Sequence, residues 1–516
     1  MSDHTSRLDA LRARNAPLAM SPGEFRDVGH RLVDLVADRL AAIPDRPLTR
    51  AESPAQLRAL IGADRPLPVE GEAAGDLIAG AAAQLFDHSL FNGHPRFFGY
   101  ITSSPAPIGM FGDFLAAALN QNVGAWQLSP LATEIECQAV RWMAELVGFP
   151  PGCGGLFVSG GNMANFVGVL AARAAAADWD VRAEGLTRGS LVLYGSAETH
   201  TWIQKAADLF GFGTNAIRWI PTDARQRMDV GALRRQIDAD RQAGLRPFFV
   251  VGTAGSVSTG AIDPLDEIAA VCREQGLWFH VDGAYGAVAA QVPGAPDSLR
   301  ALAEADSVAV DPHKWLYAPV EAGCVLVRDP EALRRAFSYH PAYYHFDEQV
   351  VNFFELGPQN SRGFRALKVW LALRQVGRDG YRQMIADDML LAGHLHDRVS
   401  RHPELEPGTQ SLSITTFRYV PVDLRASIGL AAADAHLERL NRELLAAIER
   451  SGQAFVSSAV VDGRFLLRAC IVNFHTSTDD IDALLLLVSR LGRQIDAALR
   501  LEPDVMATVE FERSQQ

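Results

Sequence analysis

A chain of 516 residues, 48% hydrophobic and 21% charged, is that of a globular protein too long for one core, so two or three domains are expected. Its formal charge of −13 argues against nucleic acid or an anionic membrane surface as partner, since both select basic patches. No apolar run reaches the roughly eighteen residues of a membrane span, and Cys137, Cys153, Cys272, Cys324 and Cys470 are too scattered for a cysteine-based metal site and fit a reducing compartment.

The start, Met1-Ser2-Asp3-His4-Thr5-Ser6-Arg7, carries no signal peptide's apolar centre, and a cytoplasmic protein is expected. Ser21-Pro22 opens a helix on which Phe25, Val28, Leu32, Leu35, Val36 and Leu40 recur mostly at three- and four-residue steps. Pro44, Pro47, Pro54, Pro66 and Pro68 then break the chain before a largely helical stretch over 70–90. This N-terminal part, taken as 1–105, is too open for a core of its own and is expected to pack on a partner subunit; packing on the chain's own large domain is the rival. The aromatic, glycine and proline crowding over 91–105 reads as an ordered, irregular loop of the kind that lines sites. Helices over 109–120 and from Ser129-Pro130 to 146 follow, with Ser129 as N-cap.

From residue 156 short apolar runs alternate with helices. Leu156-Phe157-Val158, Leu191-Val192-Leu193-Tyr194, Pro247-Phe248-Phe249-Val250-Val251, Trp278-Phe279-His280-Val281-Asp282 and Ser307-Val308-Ala309-Val310 are the clearest strands, and the order predicts an α/β domain with a mostly parallel sheet. Cys324-Val325-Leu326-Val327 is expected to run antiparallel, because no crossover helix fits before it. Residues 338–354, polar and aromatic without a period, read as a surface segment or lid. Helices over 364–375 and 388–398 follow, and Pro403 to Gly408 reads as a boundary. The predicted division is a large domain over 106–400 and a small C-terminal α+β domain over 401–516.

Three strand ends bring polar groups to one edge of that sheet, where open α/β folds bind ligands. Gly160-Gly161-Asn162 opens a helix whose free N–H groups suit a phosphate; tight packing is the competing explanation. Asp282, among the small residues of Asp282-Gly283-Ala284, suits a protonated ring nitrogen or caps a helix. His200 suits stacking on a ring, or is a satisfied buried histidine. Lys314, just past Pro312, is placed as an amine nucleophile, or is a surface lysine following a strand. Phosphate anchor, carboxylate, imidazole and amine together specify pyridoxal 5′-phosphate. No HExxH or GxSxG occurs, so a metalloprotease-like zinc site and a serine hydrolase have no support, and no metal is expected.

From Glu24 to Leu499 the chain resembles the pyridoxal-phosphate-dependent group II amino acid decarboxylases, which include aromatic-L-amino-acid, histidine, glutamate and cysteine-sulfinate decarboxylases. Asp311-Pro312-His313-Lys314-Trp315 carries the resemblance most specifically. His280-Val281-Asp282-Gly283-Ala284-Tyr285, Ser129-Pro130 with Thr133-Glu134-Ile135-Glu136, and His94-Pro95-Arg96-Phe97 support it in the same order. The resemblance implies a type I (aspartate aminotransferase-like) α/β fold and a homodimer with shared active sites. It implies that Lys314 forms the Schiff base with the cofactor, that Asp282 partners the pyridine nitrogen and that His200 stacks on the ring. Gly161 and Asn162 would hold the phosphate with Ser256 and His313 nearby, Ala284 would lie against the ring's other face, and Tyr100, Ile101 and Thr102 would line the substrate pocket.

The family's lid carries a tyrosine that reprotonates the substrate carbon. Counting back without gaps from Ser361-Arg362-Gly363-Phe364-Arg365 puts that position on Phe353, whereas Tyr343 and Tyr344 lie earlier in the lid. Tyr343 is taken as the catalytic candidate, and Phe353, Ser361 and Arg362 as substrate-side residues. Gly363 and Asn162 depart from the family pattern, which bears on substrate. The resemblance implies decarboxylation of an L-amino acid, an aromatic one in first place, to its amine and CO2. The alternatives are an acidic or aliphatic substrate, an aldehyde synthase favoured by Phe353, or an aminotransferase.

Overall fold

The computed structural model describes residues 7, 8, 11–14, 16–339 and 350–501. Tyr343 and Tyr344 therefore lie outside the described residues. The chain divides into two units, Met1–Phe91 and Asn92–Gln516.

The first unit is helical, with helices at Pro22–Ala42, Pro54–Ile61 and Ala74–His88. Their ends follow local chemistry. Ser21 Oγ accepts the Glu24 N–H at 3.2 Å with Pro22 in the first turn, which supplies one of the partners a helix start lacks. Ser53 and Gln56 form a capping box, and Gly62 closes the same helix at φ 60°, a left-handed conformation that glycine adopts without a Cβ penalty. No residue of Pro22–Ala42 is buried, and Phe25 and Val33 of its apolar stripe stand more than half exposed.

The second unit holds two sheets. The larger has strand order β1-β7-β6-β5-β4-β2-β3, with β1 Gly154–Val158, β2 Leu191–Ser196, β3 Ile217–Ile220, β4 Arg246–Thr253, β5 Trp278–Asp282, β6 Ser307–Val310 and β7 Gly323–Val327. Strands β3, β2, β4, β5 and β6 pair in parallel, and β7 runs antiparallel to both β6 and β1. All strands except β7 thus point their C-terminal ends to one edge. Every residue of β6 and β7 is buried, as strands covered on both faces must be, and this explains their unbroken apolar runs. The helix Gly161–Ala176 packs along β4, β5, β6 and β7.

The smaller sheet is antiparallel, in the order β10-β11-β9-β8, from β8 Leu405–Ser411, β9 Ile414–Tyr419, β10 Ser457–Val461 and β11 Arg464–Cys470. Helices Ala431–Ser451 and Thr478–Arg500 bury Leu437, Leu440, Leu444, Leu484 and Val488 in its core.

Of three local expectations, one is corrected and two are met in position with a difference in detail. The run Pro403 to Gly408, read as a boundary, enters β8. The two helices expected over 364–375 and 388–398 are present within Ala366–Ser400, divided at Gly377, which has φ 71° and ψ 167°; the second begins well before residue 388. Ser129 holds the N-cap position as expected, but without a side-chain cap bond, since its hydroxyl donates to the Ala125 carbonyl at 3.2 Å. Among the described residues no helix is long and apolar enough to cross a membrane.

Candidate active site

The C-terminal edge of the large sheet opens into a cavity of about 450 Å³. At the end of β1 the chain turns through Gly160, whose φ of 148° and ψ of −178° belong to a region open essentially to glycine alone. A Cβ on Gly323, at the start of β7, would lie 2.5 Å from the Gly160 Cα, so both residues must be bare for turn and strand to meet. The helix then begins at Gly161 with its first N–H groups facing the cavity unused by the helix itself, at the end of the macrodipole that favours an anion.

β5 delivers Asp282, buried in the cavity wall. Its Oδ2 accepts the Trp202 indole N–H at 2.7 Å and its Oδ1 the Ala284 N–H at 3.2 Å, so the carboxylate is fixed in direction. β2 delivers His200, which is open to the cavity. Its Nδ1 accepts the Trp202 N–H at 3.3 Å. Loss of solvent against the walls lowers its pKa, Asp282 opposes that shift and Lys314 adds to it; the imidazole is neutral at pH 7.

β6 delivers Asp311, His313 and Lys314. Lys314 Nζ sits 3.1 Å from Asp311 Oδ2. His313 Nδ1 donates to the Ala322 carbonyl at 2.7 Å, a partner that can only accept. A Cβ on Gly161 would fall 2.6 Å from Asp311 Oδ2 and 3.2 Å from Ala284 Cβ, which shows how tightly the three strand ends converge.

Tyr100, Ile101 and Thr102 line the mouth. Tyr100 is exposed and takes a φ of 51°. Its carbonyl accepts from Arg468 Nη1 at 3.0 Å, and Ser103 Oγ donates to the His313 carbonyl at 3.2 Å, fastening this segment to the Lys314 turn.

Of the residues singled out by sequence, Gly161, Asn162, His200, Asp282, Ala284, His313, Lys314, Tyr100, Ile101 and Thr102 share this cavity. Ser256 is buried just behind it, its hydroxyl 3.0 Å from Thr259 Oγ1, while its neighbours Gly255 and Val257 form the wall. Phe353, Ser361 and Arg362 are not in the lining. Phe353 is buried with its ring 4.5 Å beneath the Arg362 guanidinium. Arg362 is itself buried, paired with Glu136 and donating to the Val123 and Phe157 carbonyls at 2.7 Å each. Ser361 is exposed. Sequence reasoning missed Trp202, Thr253 and Glu198 in or beside the wall. Only the position of Trp202 two residues after His200 hinted at a role.

These groups fit pyridoxal phosphate on two independent grounds. Thr253 Oγ1 and Asp311 Oδ1 are buried polar atoms in the cavity wall with no hydrogen-bond partner among the described residues, an arrangement that proteins rarely leave without a ligand or water. The donor set also matches part for part: backbone N–H groups for a phosphate, a fixed carboxylate for a ring nitrogen and an amine for an aldehyde.

The family described as "Pyridoxal-dependent decarboxylase conserved domain" matches residues 54–419. An aromatic-L-amino-acid decarboxylase of Bacillus atrophaeus is 32% identical over 483 residues, covering 93% of this chain and 97% of the relative. A phenylacetaldehyde synthase of Petunia hybrida is 30% identical, covering 88% and 91%. Among solved structures, mouse CSAD superposes with a TM-score of 0.87 at 27% identity, covering 92% of this chain and 99% of that one. Oryza sativa TDC with PLP and tryptamine gives 0.85 at 27% identity, covering 93% and 100%. With strand ends, donor set and relatives in agreement, this chain belongs to the pyridoxal-phosphate-dependent group II amino acid decarboxylases and decarboxylates an amino acid with that cofactor.

Proposed function

We propose that the substrate is an aromatic L-amino acid, converted to its amine and CO2. The observation that carries this reading is the charge of the cavity wall. Among the described residues Lys314 is its only lysine and it has no arginine, whereas Glu198, Asp282 and Asp311 all border it. A second carboxylate on the substrate would meet like charges with no guanidinium to receive it. Tyr100, Ile101, Met163 and Val257 instead offer surface to a flat apolar side chain. The names of several relatives point the same way.

When bound, pyridoxal phosphate supplies the electron sink for the pair left on the substrate carbon as CO2 departs. The N–H groups opening the Gly161–Ala176 helix would hold its phosphate. Asp282, aimed by Trp202 and the Ala284 N–H, keeps a proton on its ring nitrogen. Lys314 Nζ lies 3.1 Å from Asp311 Oδ2, which holds the amine in place for the cofactor's aldehyde. Neutral His200 would lie against the ring without adding charge. Tyr343, outside the described residues, is the proposed donor of the proton that replaces CO2.

Phe353 favours a second reading, oxidation to an aldehyde, by the gap-free count alone. Its burial beneath Arg362 gives that count no support at the reacting atoms, so amine formation stands first. The exposed apolar face of Pro107–Leu119, with Phe111, Phe114, Leu115 and Leu119 each half or more exposed, supports a homodimer. A monomer at working concentration by light scattering would count against it. Substrate choice is tested by supplying L-phenylalanine, L-tyrosine, L-DOPA, L-tryptophan, L-glutamate and L-cysteine sulfinate and measuring CO2, amine and H2O2. The expected preference for an aromatic substrate is on the order of 100-fold in kcat/KM. Faster turnover of an acidic substrate defeats the aromatic assignment, and H2O2 with aldehyde in place of amine defeats the outcome assigned.

A further inference from the structure

Lys314 is followed by a turn in which Trp315 and Tyr317 are both buried and Tyr317 holds a φ of 55°. An aromatic residue in the left-handed region is strained, and such strain persists only where surrounding contacts over-determine it. Here the side-chain hydrogen bonds that hold it come from one distant helix. Asp388, buried on Ala366–Ser400, accepts the Trp315 indole N–H at 2.8 Å and the Tyr317 hydroxyl at 2.7 Å, both on Oδ2. Between them, the Leu316 carbonyl accepts the Tyr381 hydroxyl of the same helix at 3.2 Å. Trp315 in turn stacks on Tyr285, with ring centroids 4.9 Å apart and planes 19° from parallel, and Tyr285 is part of the cavity wall.

A buried carboxyl group is a costly way to fill space. An apolar side chain would pack as well but leave an indole N–H and a phenol O–H unmet in the core. We propose that Asp388 is a positioning residue: by gripping both flanks of the Lys314 turn with one oxygen, it sets the direction in which the Lys314 amine enters the cavity. This rests on Lys314 being the amine that takes the cofactor. Burial, opposed by the bonds from Tyr317 and Trp315 and reinforced by Asp387, pushes the Asp388 carboxyl up to about 7, so its grip is sensitive to pH near neutrality. The titratable groups around it are Asp387 and Tyr381 on its own helix, Tyr317 on the Lys314 turn and Cys470 on β11.

The test uses the cofactor-loaded enzyme and three variants. In Asp388→Leu the dissociation constant for pyridoxal phosphate, read by absorbance titration, rises about tenfold, as the loss of two buried hydrogen bonds implies. The pH midpoint of the visible cofactor band shifts, and kcat falls while KM stays near the parent value. Asp388→Asn keeps an oxygen that accepts both donors and restores cofactor affinity and kcat to within about threefold. Should Asp388→Leu not fold, Tyr317→Phe removes one of the two donors alone and is expected to speed cofactor release about threefold. A lowered melting temperature with band midpoint, cofactor affinity and kcat all unmoved would assign Asp388 to stability and overturn the proposal. Failure of the parent protein to show any visible band that Lys314→Ala abolishes would instead strike the underlying role of Lys314.

Discussion

Replacing Arg362 by leucine tests the reading of that residue as a buried strut. Arg362 and Glu136 are almost wholly shielded from solvent, and their ion pair ties the chain just before Ala366–Ser400 to the helix Pro130–Val147. Glu136 Oε1 also accepts the Phe157 N–H at 2.9 Å, while Arg362 binds the Phe157 carbonyl, so the pair clamps both backbone groups of one residue in β1. Arg362→Leu strands the Glu136 carboxylate in the core with that single N–H. Breaking a buried pair on one side costs about 3–5 kcal/mol, and losing the cation over the Phe353 ring adds about 1 kcal/mol. The assay is equilibrium urea unfolding of the cofactor-free protein at pH 7, with Arg362→Leu, Glu136→Leu and the double variant in parallel. The double variant is expected to recover more than half of the single loss, because no unpaired charge remains in it. A loss below about 1 kcal/mol in Arg362→Leu would match a surface pair and refute the strut.

Three further outcomes are expected. Lys314→Ala should lose the visible cofactor band and slow decarboxylation by a factor on the order of 1,000 or more, as for other covalent residues; spectra and CO2 release check this. Asp263, whose Oδ1 and Oδ2 accept the Met228 and Thr253 N–H groups at 2.7 and 2.8 Å, is pushed by burial from 3.8 up to about 6. The folded state therefore keeps a proton that the unfolded chain has lost, so this group's stabilisation is full below pH 4 and fades as pH rises through 6. The fade amounts to about 3 kcal/mol at 1.36 kcal/mol per unit, and melting curves between pH 4 and 7 should flatten over that window in Asp263→Asn. Phe353→Tyr should cost about 1–2 kcal/mol by crowding a hydroxyl beneath Arg362, with the amine-to-aldehyde ratio unchanged; a rise in that ratio would bring the position back to the chemistry.

The sheet was legible because strands buried on both faces leave unbroken apolar runs, as in Ser307-Val308-Ala309-Val310, and the direction of β7 was legible because its connection is too short for a crossover. Lys314, Asp282 and His200 were legible for the same reason: each lies at or just past a strand end. β8 escaped because Pro407 and Gly408 look like a break, yet it lies at the sheet's margin with an irregular register beside Pro407, where both residues are tolerated. The bonds of Asp282 to Trp202 and of Asp388 to Trp315 join residues 80 and 73 positions apart. No local period records such pairs. Arg362 was misleading for a different reason: beside a lid, an arginine looks the same whether its guanidinium receives a substrate or a core carboxylate.

The placement of β7 also bears on how the protein is made. β1, which ends in the Gly160 turn, reaches the large sheet through β7 alone, and β7 is encoded far downstream. During synthesis the glycine turn and its helix therefore emerge early but have no ladder to join until residues 323–327 have left the ribosome. Such distant pairing is slow and exposes apolar edges while it waits. A chain stalled before β7 thus leaves β1 and the Gly160 turn without a partner strand, and the cradle is held near Lys314 only by its helix against β4, β5 and β6.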